Sequence, residues 1–171
     1  MPDEPTTPLP APVRRSRFLP VPVADAWELL ADGRHHDRLI PLTVVTGDEP
    51  GLGGQIRAVS GPGASRGWGL VDTMRIDAWD PPTDGSGGRA SFTKLGPILL
   101  GTADIEVVPA ATIDGQERCR ATWTEQVWLA GPLPPAVTGP LLRPALDAML
   151  RFALARAETW LVGHRGLPRG R

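Results

Sequence analysis

The sequence predicts an α+β protein in which a curved antiparallel sheet wraps around one long helix near the C-terminus. Three observations predict it. Residues 137–162 place Leu142, Leu146, Met149, Ala153, Ala157, Trp160 and Leu161 at steps of three and four, which is one broad face of a 3.6-period helix. Nearly everything before that helix reads as short β-rich stretches separated by Gly, Pro and Asp. Only two short helical segments interrupt the strands, both directly after the first one. A wide apolar helix face needs a broad partner surface, and the strands are the only candidates to supply it.

In chain order, residues 1–12 hold five prolines and no periodicity, so they are expected to be a flexible lead-in. Residues 13–19 (VRRSRFL) read as the first strand, with Val13, Arg15, Arg17 and Leu19 on one side. Pro22 suits the entry to a helix over 24–31, which carries Trp27, Leu30 and Ala31 on one side and stops at Asp32-Gly33. A second helical turn follows over 34–40 and ends at Pro41. Strands are expected over 42–47, 55–60, 68–79, 89–95, 98–108 and 117–129, with turns at Gly51-Leu52-Gly53-Gly54, 61–67, 80–88 and 109–116. The glycine-rich turn lacks the Lys-Ser/Thr of a phosphate-binding loop and enters no helix. Pro140 and Pro144 suggest that the last helix becomes regular only near Arg143. Arg143, Asp147 and Arg151 form a charged row on it at i,i+4 spacing. A single domain over 13–162 is expected, followed by a flexible tail over 163–171.

Composition bounds the function. A chain of 171 residues with 41% hydrophobic and 22% charged residues can bury a real core as one domain. A formal net charge of -1 argues against nucleic-acid binding driven by bulk electrostatics. The lone Cys119 permits neither an intrachain disulfide nor a cysteine-cluster metal site, and fits a reducing cytoplasm. The N-terminus has no basic and then apolar run of the signal-peptide type, and no stretch approaches a membrane span. Adjacent His35 and His36 point apart on a helix, and no third ligand recurs at zinc spacing. No metal and no cofactor are expected.

The element order is itself specific: strand, two short helices, six consecutive antiparallel strands, long C-terminal helix. It resembles the helix-grip fold of the START/Bet v 1-like superfamily, also called SRPBCC, and within it the bacterial polyketide cyclase/dehydrase-like proteins. The run VPVADAWELLADGRHHDRLIP is similar to that family's first-helix segment, with Trp27 at the usual aromatic place and Pro41 ending the second helix. Asp80-Pro81-Pro82 resembles the turn after its fourth strand. GTADIEVVP followed by RATWTEQVWL resembles its sixth and seventh strands. The resemblance covers roughly residues 13–162. It implies a large, mostly apolar cavity between a curved seven-stranded sheet and the long helix, used by family members to bind lipids, steroids, polyketides or hormones, with chemistry in a minority.

Candidate site residues follow from strand alternation. On residues 117–129, Glu125 shares a face with Ala121, Trp123 and Val127. A carboxylate on an apolar inner face is a candidate acid, base or ligand anchor, or else is paired with an arginine near the mouth. Asp72 is the polar member of a row with Trp68, Leu70, Met74 and Ile76, unless the register slips by one and turns it to solvent. Trp68, Met74, Phe92, Ile105, Trp123, Val127, Met149 and Ala153 are the expected liners; Phe152 sits off the main face. Lys94, the only lysine, reads as a solvated strand end rather than a ligand contact. His164 suits a helix C-terminus. The expected function is binding of a small lipophilic ligand. An enzyme using Glu125 or Asp72 as general acid/base is the alternative, and a protein-interaction module presenting Trp128 and Trp79 is a third. Long exposed strand edges leave a homodimer open.

Overall fold

The computed structural model describes residues 8–164. Of the expected flexible lead-in and tail, residues 1–7 and 165–171 lie outside the described residues. Seven strands, β1 (Val13–Leu19), β2 (Thr43–Gly47), β3 (Gln55–Ser60), β4 (Leu70–Asp80), β5 (Gly88–Pro97), β6 (Leu99–Ile113) and β7 (Gln116–Leu129), form one antiparallel sheet in the order β1-β7-β6-β5-β4-β3-β2. Two short helices, α1 (Val23–Ala31) and α2 (His36–Leu39), follow β1, with a 3₁₀ turn at Gly33–His35 between them. The 29-residue α3 (Pro135–Gly163) closes the chain. The sheet curls as a half-barrel against α3, which is the helix-grip arrangement. Two register shifts between β4 and β5, at Thr73/Met74 and Ile76/Ala78, supply bends of the kind that curl a sheet.

The inner face carries the core. Leu19, Ile76, Ile105, Val107 and Cys119 of the sheet pack with Leu29 and Leu30 of α1 and with Leu150, Ala153 and Ala157 of α3. β1 lies beside β7 under α3, so Arg15 and Arg17 reach across to Asp147 and Glu158. On α3 itself the i,i+4 row forms its ion pair, Arg151 Nε to Asp147 Oδ2 at 2.9 Å.

Several boundaries differ from the sequence expectation, each for a local reason. β4 starts at Leu70 because Gly69 (φ +156°) sits so close to β3 that a Cβ there would meet the Ser60 carbonyl oxygen at 2.3 Å. Trp68 is thereby left in the preceding loop. The expected connection over 109–116 is mostly strand: β6 runs on to Ile113, and Asp114-Gly115 make a two-residue turn with both φ positive. The Asp-Gly pair is the hairpin signal for that turn. α3 begins at Pro135 and runs through Pro140 and Pro144 rather than starting at Arg143. Its first turns are held from outside. Thr138 Oγ1 accepts from the Leu129 amide at 3.2 Å, and Pro10 lies against Gly139. Pro10 is buried, and its carbonyl accepts from Gln126 Nε2 at 2.7 Å, so the end of the proline-rich lead-in is anchored at the junction of β7 and α3.

Candidate functional site

The chemistry gathers where β4, β5 and β7 face the middle of α3. Register brings it together. Met74 of β4 pairs with Lys94 of β5, Lys94 with Gly101 of β6, and Gly101 with Val127 of β7. One step along, Phe92 pairs with Ala103, and Ala103 with Glu125. Two strand spacings separate β5 from β7, about 10 Å. Gly101 and Ala103 put almost no side chain in that gap, so Lys94 extends over β6 to reach Glu125.

The result is a buried three-residue ion cluster. Lys94 Nζ lies 2.5 Å from Asp72 Oδ2 and 3.3 Å from Glu125 Oε2, with Met74 Sδ at 3.7 Å. Trp123 Nε1 donates to Glu125 Oε1 at 3.1 Å. The side chains of Lys94, Glu125 and Asp72 are 5%, 3% and 16% exposed, so water screens them little. Asp72 Oδ1 has no partner among the described residues, and Glu125 Oε2 has only the ion pair to Lys94. Burial pushes the Glu125 carboxyl above its ordinary range; Lys94 opposes that shift and Asp72 adds to it. For Lys94, burial pulls the ammonium down, but the two carboxylates together outweigh it and raise its pKa.

His36 completes this wall. Its Nε2 lies 2.9 Å from the Leu30 carbonyl oxygen, which can only accept, so Nε2 carries a proton and donates. Burial, reinforced by the nearby Lys94, lowers its pKa and keeps the ring neutral. The ring packs on Trp123 with centroids 4.8 Å apart. His35 turns elsewhere and places Nδ1 3.0 Å from the Glu28 carbonyl oxygen, so the histidine pair does not converge on one point.

These groups line a mostly apolar cavity of about 100 Å³ between sheet and α3. Of the residues expected there, Asp72, Met74, Phe92, Ile105, Trp123, Glu125 and Met149 line it. Three do not. Trp68 is 77% exposed on the loop before β4, displaced by the Gly69 conformation. Val127 is buried at the same inner face but sits past the cavity, next to the start of α3 at Gly139. Ala153 is fully buried in the core one turn beyond Met149. Phe152 is 46% exposed beside Arg156. Lys94 is the principal correction: it is a buried, charge-paired member of the wall and not a solvated strand end. The alternation with Ala90 and Phe92, beside the small residues Gly101 and Ala103, is the signal that could have placed it. His36, Ile40, Thr43, Ser60 and Leu99 also line the space, together with Leu70 of the Asp72 row and Leu146 of the apolar α3 face. Trp79 is half-buried and packs on Trp27 with centroids 5.0 Å apart. His164 folds back on the last turn of α3, its ring stacked on Trp160 at 4.1 Å.

A family model described as polyketide cyclase/dehydrase and lipid transport matches residues 10–161, which takes in every element from β1 to α3. The chain belongs to this family. It is therefore an SRPBCC protein. Solved structures agree on the fold. Ara h 8.0201 is 16% identical, with a TM-score of 0.56 over 90% of this chain and 99% of that one. The protein XoxI from Bacillus cereus is 10% identical, with a TM-score of 0.64 over 89% of this chain and 96% of that one. No curated protein matches the chain by sequence. Among the described residues of this family member, no helix is long and apolar enough to cross a membrane.

Proposed function

We propose that this protein binds a small lipophilic molecule in the cavity between the sheet and α3, and that Asp72, Lys94 and Glu125 orient the ligand's polar group. One observation carries the reading. A mostly apolar chamber has a single charged wall, on which Asp72 Oδ1 lacks a donor among the described residues and Glu125 Oε2 has only the Lys94 ammonium at 3.3 Å. Such a chamber gains affinity from apolar burial at roughly 25 cal/mol per Å² and orientation from a few placed polar groups. Membership of a family described by lipid transport and polyketide chemistry supports the same reading. A cavity of about 100 Å³ holds several waters or a one-ring guest. A ligand of several rings requires the walls to move apart, and Leu70, Leu99, Leu146 and Met149 are lining residues that could give way. Native mass spectrometry of the purified protein tests the proposal. A retained small molecule, lost on denaturation, is expected; an empty protein that binds no apolar probe would overturn it.

A second reading has its own support. Glu125 is a buried carboxyl with an elevated pKa, held by Trp123 and Lys94. That is how a general acid or base for enolisation or loss of water from a polyketide-like substrate would be kept poised. If turnover of such a substrate is found, Glu125→Gln should abolish it; unchanged turnover would exclude this role.

A further inference from the structure

We infer that the cavity selects ligands carrying a neutral hydrogen-bond donor, a phenol-type hydroxyl above all, and rejects lipophilic carboxylates. The inference rests on the binding function proposed above and specifies its ligand class.

Donors and acceptors on the charged wall are unequally matched. Lys94 supplies the cluster's cationic protons, and its Nζ is committed to Asp72 Oδ2 at 2.5 Å, Glu125 Oε2 at 3.3 Å and Met74 Sδ at 3.7 Å. The Trp123 indole N–H is committed to Glu125 Oε1. His36 spends its ring N–H on the Leu30 carbonyl, which leaves Nδ1 as an acceptor. Each donor on this wall therefore has a partner, while Asp72 Oδ1 has none among the described residues and Glu125 Oε2 has only the Lys94 ammonium at 3.3 Å. A buried acceptor without a donor is unfavourable, and a ligand hydroxyl relieves it directly.

Charge points the same way. With one ammonium against two carboxylates, the cluster is neutral only when Glu125 holds a proton, and negative otherwise. A ligand carboxylate would add a further negative charge at short range in a poorly screened space. A ligand ammonium would suit the sign but must be stripped of its water to enter a mostly apolar chamber. A neutral hydroxyl incurs neither penalty. The size of the cavity, about 100 Å³, matches a single aromatic ring.

Phenol, toluene and benzoate share one ring and differ in a single substituent, so titrating each at pH 7 by calorimetry and ligand-observed NMR tests the inference. Phenol is expected to bind about tenfold tighter than toluene, the worth of one hydrogen bond to a charged acceptor. Benzoate is expected to show no saturable binding. In Glu125→Gln, which keeps the Lys94–Asp72 pair and hence the fold, the phenol preference should shrink toward toluene and benzoate should gain. Equal affinity for phenol and toluene, or tighter binding of benzoate, overturns the donor preference while leaving the lipophilic cavity intact. No saturable binding of any of the three overturns both readings.

Discussion

Lys94 decides the character of the site. It is the chain's only lysine, and it is buried between two carboxylates. Replacing it by Met would leave Asp72 and Glu125 facing each other across an apolar space with no cation. Breaking a buried ion pair from one side typically costs about 3–5 kcal/mol. Lys94→Met is therefore expected to lose that much stability in urea unfolding at pH 7 and to recover part of it in acid, as the carboxyls take up protons. Glu125 gives a second expectation at the same scale. Its folded pKa lies above the unfolded value, so its contribution to stability is fully present below the ordinary carboxylate range and is lost as pH rises through the folded pKa. Glu125→Gln removes that loss. The stability of the variant relative to the parent should rise from pH 4 toward pH 8, and a difference that stays flat with pH would contradict the assignment.

At the scale of elements, α3 serves two purposes along one face. Its middle turns carry Leu146 and Met149 to the cavity, and its later turns carry Leu150, Ala153, Leu154, Ala157 and Leu161 into the core. Ala153→Leu should therefore overpack the core, at about 1–3 kcal/mol in thermal or urea unfolding, with little effect on cavity volume. Met149→Ala should do the reverse, enlarging the cavity and improving the binding of guests larger than one ring. The start of α3 depends on a different contact. A Cβ on Gly139 would meet Pro10 Cβ at 2.2 Å and Cγ at 2.5 Å. Gly139→Ala should displace the Pro10 segment, lower stability by about 1–3 kcal/mol, and open residues near Pro10 to limited proteolysis.

At the scale of the whole molecule, the fold holds a charged cluster inside an apolar space, and ligand and fold share that space. A guest that binds only the folded form stabilises it by mass action, about 2.7 kcal/mol at a hundred times its dissociation constant. Phenol at that level should raise the melting temperature of the parent, and Glu125→Gln should reduce the rise. The outer ion pairs between β1 and α3 are another whole-molecule feature. Arg15 with Asp147 and Arg17 with Glu158 tie the sheet edge to the helix, but they are half-exposed and screened by salt.

The sequence alone determined the order of elements. Two periods carry that order, 2 along the strands and 3.6 along the last helix, and both are local. Alternation also groups Glu125 with Trp123 on one face of β7, opposite Thr122 and Thr124, and the packed sheet turns that face toward the cavity. The tertiary structure decided everything that depends on two distant segments meeting. Lys94 looked like a strand end because its partners lie 22 residues before it and 31 after it, and nothing near Lys94 announces Asp72 or Glu125. Trp68 looked like a cavity residue by alternation, but β4 begins only at Leu70, two residues beyond it, after the close approach of Gly69 to Ser60. Ala153 shared the correct helical face with Met149, but which turn of that face meets a gap and which meets packed side chains depends on the curl of the sheet. Periodicity fixes direction along one element; a site is set by the distance between elements, and that distance is fixed only when the whole core packs.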